Sequence, residues 1–116
     1  MAQVRITFDA SDVLRKFGAQ GARELRDDID REIERSVRTM ANNAAQNAPV
    51  KTGKLRASIP ASVEQHGEMD WEFGSPVPYA TQQEYEHRTK RAFLRNAVWS
   101  ETPVLKAKLS EVIRNR

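Results

Sequence analysis

The chain has 116 residues, 39% of them hydrophobic and 30% charged, with no cysteine and a net charge of +3. That length suits a single domain with a modest core, and the missing cysteines exclude a disulfide framework, a thiolate metal site and a thiol nucleophile. No apolar run approaches the ~18 residues of a membrane span and the N-terminus lacks a signal-peptide layout, so a cytosolic product with no membrane partner is expected.

Val4, Ile6 and Phe8 alternate with Arg5 and Thr7, which predicts a short half-buried strand over 4–8. Asp9 or Ser11 can cap a brief helical turn carrying Val13, Leu14 and Phe17, and Gly18 and Gly21 mark a bend after it. A long helix is predicted over 22–48. Leu25, Ile29, Ile33, Val37, Met40, Ala44 and Ala48 recur every three or four residues and form one stripe. The stripe narrows to alanine after Met40, so its second half expects a closely packed neighbour from this chain or another. Pro49 ends the helix because it offers no N–H donor and restricts Ala48.

Residues 49–60 read as a loop or short turn, bent at Gly53, anchored by Leu55 and Ile59 and stopped by Pro60. Residues 61–75 read as a hairpin, with Ala61 and Val63 on one strand, Met69, Trp71 and Phe73 on the other, and Gln65–Glu68 as the turn. A short helix over 79–85 follows the prolines at 76 and 78, and its aromatics Tyr79 and Tyr85 are expected in the core rather than at an interface. Thr89 can cap a C-terminal helix over 90–115. Thr102-Pro103 offers a second cap, so one helix or two split near 102 are both open.

The charge is uneven. Residues 88–116 hold eight Lys and Arg against Glu101 and Glu111, a net of +6, which leaves −3 on the first 87. A basic end suits phosphate contact, pairing with an acidic protein surface, or simple solvation. No base-stacking or glycine-rich nucleic-acid motif accompanies it. Neither His66 nor His87 has metal-ligand spacing. The alternating His66, Glu68, Asp70 and Glu72 are interrupted by the predicted turn, and the outer face of a hairpin is polar in any case. Glu84, Glu86 and His87 imitate an acid/base set, but without a pocket or a nucleophile partner they read as a surface cluster. No catalytic residue, metal site or cofactor is assigned, and an enzyme is not expected.

Ala48-Pro49-Val50-Lys51-Thr52-Gly53-Lys54-Leu55-Arg56-Ala57-Ser58-Ile59 resembles the A-P-V-x-T-G-x-L-R-x-S-I signature of a family of small phage tail-component proteins. These are the tail-completion, neck or head–tail joining proteins of long-tailed phages and prophages. Tyr79-Ala80 with Glu84-Tyr85 resembles that family's Y-A-x-x-x-E-[FY] segment, and Ala92-Phe93-Leu94 with Ala97 its P-F-[LM]-x-x-A segment. The likeness runs from about Ala48 to Val98. It departs from the family at Lys51, where an acidic residue is common, and at Glu86-His87, where the family continues E-F-G-T.

The resemblance implies a structural virion protein. It would form a homo-oligomeric ring, typically hexameric, at the head-proximal end of the tail. Its partners would be tail-tube and head-closure proteins, with DNA passing through the lumen without sequence-specific binding. The ring would be assembled in the bacterial cytoplasm. Thr52, Gly53, Lys54, Leu55 and Arg56 would then project to a neighbouring subunit, or else serve only as the helix-to-hairpin connection. Arg88, Lys90, Arg91 and Arg95 would face DNA or an acidic surface. The fold expected is α+β: a small antiparallel sheet from 4–8 and 61–75, packed against the long helix and the C-terminal helices. The rival reading is a nucleic-acid-binding module using the basic C-terminal segment.

Overall fold

In the computed structural model, residues 2–49, 53–78, 80–86 and 92–115 are described. Strand β1 (Ala2–Thr7) leads through a single helical turn, α1 (Ser11–Leu14), into the long helix α2 (Ala19–Asn47). Then come α3 (Lys54–Ala61), the hairpin β2 (Glu64–Gly67) and β3 (Asp70–Ser75), α4 (Ala80–Glu86) and α5 (Phe93–Arg114). The sheet is antiparallel in the order β1-β3-β2, so β3 is central and both its neighbours are edges. Sheet and helices pack together as an α+β fold.

The core follows the periodicities. Leu25, Ile29, Ile33, Val37, Met40, Ala44 and Ala48 are all buried. They meet Leu55 and Ile59 of α3, Trp71 and Phe73 of β3, and Leu94, Ala97, Leu105 and Leu109 of α5. The alanine half of the stripe is covered from within the chain. The molecule is long and thin, 51 × 22 × 17 Å, with a radius of gyration of 15.9 Å. A compact chain of this length measures about 13 Å. The core is therefore a single seam along α2.

Several boundaries differ from the sequence reading. Gly18, in extended conformation, precedes the first residue of α2, and Gly21 lies inside that helix rather than at a bend. Residues 54–61 form a true helix rather than a loop, entered through Gly53 at φ 81°. Pro60 sits in its last turn, where it removes only one backbone bond, and burial of Leu55 and Ile59 holds the helix through it. The Ser62 hydroxyl then accepts from the Gly74 N–H at 2.8 Å, so residues 61 and 62 end a helix instead of opening a strand.

The hairpin turns at Glu68-Met69, later than predicted, and Gln65, His66 and Gly67 belong to β2. Asp30 of α2 explains the placement. Its carboxylate accepts from the Met69 N–H (3.1 Å), the Trp71 indole Nε1–H (2.9 Å) and the Gln65 amide (2.8 Å). These bonds hold Met69 at φ 56°, a left-handed conformation that costs a non-glycine residue about 1 kcal/mol.

The C-terminal segment is one helix, not two. The Thr102 hydroxyl donates back to the Val98 carbonyl at 2.6 Å instead of capping a new helix. Pro103 lies on the exposed side, where the carbonyl it leaves without an N–H can be hydrated, and Leu105 and Leu109 continue the buried stripe beyond it.

Candidate interaction surfaces

The turn after α2 carries the most specific sequence motif, and the structure divides its residues between surface and core. Thr52 lies outside the described residues. Gly53 supplies the left-handed backbone that starts α3, and Lys54 is exposed. Leu55 is buried in the core. Arg56 donates through Nε to the Ala48 carbonyl at 3.0 Å, which ties α3 to the end of α2. Leu55 and Arg56 thus act within the chain, and the exposed part of the motif is narrow.

The second motif reverses the expected roles. Tyr85, expected in the core, is 58% exposed, whereas Glu84 is 3% exposed. The Glu84 carboxylate accepts from the backbone N–H groups of Leu94 (2.8 Å) and Arg95 (3.3 Å) and from Arg95 Nε (2.6 Å). It therefore satisfies the first turn of α5 from a neighbouring element, the role that sequence reading gave to Thr89. Thr89 lies outside the described residues, as do Tyr79 and His87. The Arg95 guanidinium also donates to the Glu84 carbonyl and lies 4.4 Å from the Tyr85 ring centroid. Arg95 thus neutralises a buried carboxylate within the chain. Arg88, Lys90 and Arg91, the other members of that group, lie outside the described residues.

Four titratable residues of the hairpin, His66, Glu68, Asp70 and Glu72, are engaged in pairs. Arg5 forks onto Asp70 at 2.9 and 2.6 Å, His66 meets Glu72 at 3.0 Å, and Arg26 approaches Glu68 at 3.4 Å. Arg5 holds the Asp70 carboxyl below its ordinary pKa, chiefly through the hydrogen bonds, and Asp70 raises that of Arg5. Among the described residues no group of three or more His, Asp or Glu is arranged to hold a metal.

Two surface features were not anticipated. Trp99 on α5 is 64% exposed. A groove of about 310 Å³ opens between β1 and α5, floored by Ile33 and Met40 of α2. Both arise from tertiary packing, which decides which apolar side chains of a helix are left uncovered.

The family model for the bacteriophage HK97-gp10-like tail component matches residues 11–85. The chain belongs to this phage tail-component family. Comparison with curated proteins and with solved structures returned no match. The HK97-gp10-like match takes in the turn at Gly53, the hairpin and Glu84, while β1 and α5 lie outside it. The family is structural, and membership makes the protein a component of the virion tail. No helix among the described residues is long and apolar enough to cross a membrane.

Proposed function

We propose that this tail component is a tail-completion or neck subunit. It forms a ring, hexameric by the family resemblance, at the head-proximal end of the tail, and it joins the tail tube to the head-closure proteins. Its chemistry is protein contact, not catalysis. DNA passes through the ring without being read. The observation that carries this reading is membership of the HK97-gp10-like family, to which the exposed Trp99 adds physical support. Trp is enriched among the residues that carry binding energy at protein interfaces, so Trp99 is a candidate anchor. The thin body agrees with this: a core one seam wide gains stability from neighbours.

Native mass spectrometry and light scattering of the purified chain, alone and with tail-tube and head-closure proteins, test the reading. A ring, alone or on a partner, is expected, and Trp99→Ser is expected to weaken it. A chain that stays monomeric at all concentrations and binds neither class of partner refutes it. The nucleic-acid reading loses Arg95, which Glu84 already occupies. Micromolar DNA affinity that falls steeply with salt would restore it.

A further inference from the structure

Among the described residues, Trp99 is the largest apolar side chain that the fold leaves in water. It stands three residues before Thr102 and seven before Lys106, on the same face of α5. Those two residues line the groove, whose walls are Ile6 and Phe8 on one side and Leu105 and Leu109 on the other. A bulky apolar knob and an apolar hollow of about 310 Å³ therefore share one strip of one helix.

A single chain cannot bring the two together. Helical side chains lean toward the helix N-terminus. Trp99 thus leans toward the turn at Arg95, away from a groove that runs along α5 from Thr102 to Leu109. A second α5 laid antiparallel reverses the lean. With a two-fold axis between Thr102 and Pro103, Trp99 of one copy lies across from Lys106 of the other and leans on toward its Leu109. The same axis seats the other Trp99 in the first copy's groove, so one contact fills both hollows. Two different neighbours cannot share one strip of a helix, which makes the contact isologous and closes it at two copies.

The charges on the strip suit this partner. Among the described residues its charged members are Arg95 and Lys106, and Arg95 is held by Glu84. Lys106 meets an indole face, a favourable partner for a cation. The two Lys106 side chains start about 10 Å apart along the helix, seven residues at 1.5 Å each, which is roughly a Debye length. Glu101, Lys108 and Glu111 fall on other faces of α5. Ser110, exposed one turn past Lys106, offers the indole N–H an acceptor.

We infer that the free chain pairs with a second copy of itself through α5, each Trp99 seated in the other copy's groove. A contact confined to one helix strip is small, so a dissociation constant on the order of 10 µM is expected. The pairing stands on the single chain's surface. Resting on the ring reading, it also shelters Trp99 until the tail partners arrive.

Sedimentation velocity of the isolated chain from about 1 µM to about 1 mM tests it, with tryptophan emission read on the same samples. Trp71, the other tryptophan, is 6% exposed, so water-like emission comes from Trp99. Monomer is expected to give way to dimer and to nothing larger, with the emission moving to the blue in step. Trp99→Ser, an exposed change, is expected to keep the melting temperature and abolish the dimer. The chain has no cysteine, so single cysteines report the register. Thr102→Cys, at the axis, is expected to give a disulfide-linked dimer on mild oxidation, and Ser110→Cys, about 22 Å from its counterpart, is not. A chain that stays monomeric throughout, or a dimer untouched by Trp99→Ser, overturns the proposal. A dimer that crosslinks through Ser110→Cys rather than Thr102→Cys is a parallel pair and overturns it too, as does a Trp99-dependent ring of the isolated chain. A ring on tail partners without a dimer of the free chain sinks only the pair, and a dimer that forms no ring on any partner sinks only the ring.

Discussion

Replacing Glu84 with alanine tests whether one carboxylate holds α4 and α5 together. The change removes an acceptor for the backbone N–H groups of Leu94 and Arg95 and for Arg95 Nε. Loss of a helix cap costs about 1 kcal/mol. Loss of a charge-assisted bond costs about 1.5–3 kcal/mol. The lower end applies here, because the Arg95 side chain is 37% exposed and can regain water. The sum is about 2.5 kcal/mol. For a domain of this size that corresponds to a melting temperature lower by about 10 °C. Thermal unfolding followed by circular dichroism, with a matching shift of the urea midpoint, measures it. Glu84→Gln keeps one acceptor oxygen and is expected to fall between wild type and Glu84→Ala. A double-mutant cycle with Arg95→Ala is expected to give a coupling of about 1–2 kcal/mol. A loss below about 3 °C for Glu84→Ala, the size of an ordinary surface change, refutes the reasoning.

Asp30→Ala deprives Met69, Trp71 and Gln65 of their shared acceptor. It is expected to cost about 2–3 kcal/mol, with a change in Trp71 fluorescence that a surface aspartate would not produce. Because Asp70 is held below its ordinary pKa by Arg5, its contribution to stability is present above about pH 4 and is lost as pH falls through the folded value. Asp70→Asn is therefore expected to flatten the acid limb of the stability profile, measured by urea midpoints between pH 2 and 6, and an unchanged limb counts against the pairing. Pro103→Ala restores a missing helix bond on the exposed face of α5 and is expected to stabilise the fold by about 2 kcal/mol, read as a higher melting temperature.

The stripe from Leu25 to Ala48, the alternation of Trp71 and Phe73, and the alternation of Val4, Ile6 and Phe8 along β1 and just past its end at Thr7 were legible in the amino-acid order. Periodicities of 3.6 and 2 are set by local backbone geometry, so they report which face is apolar wherever that face ends up. The family motifs were legible in the same way, as short runs of fixed spacing. The roles inside them were not. Glu84 looked like a surface acid and Tyr85 like core, and their burial is reversed because Glu84 meets the start of α5 ten residues further on. Asp30 carries no local signal at all, since its partners lie 35, 39 and 41 residues away. Pro60 read as a stop and Thr102-Pro103 as a possible new start, yet each proline lies inside a helix because burial of the residues around it outweighs one lost bond. Only the assembled structure left β1 with an open edge, a groove beside it and Trp99 in water. An edge is defined by what does not pack against a strand, and that depends on where every other element has gone.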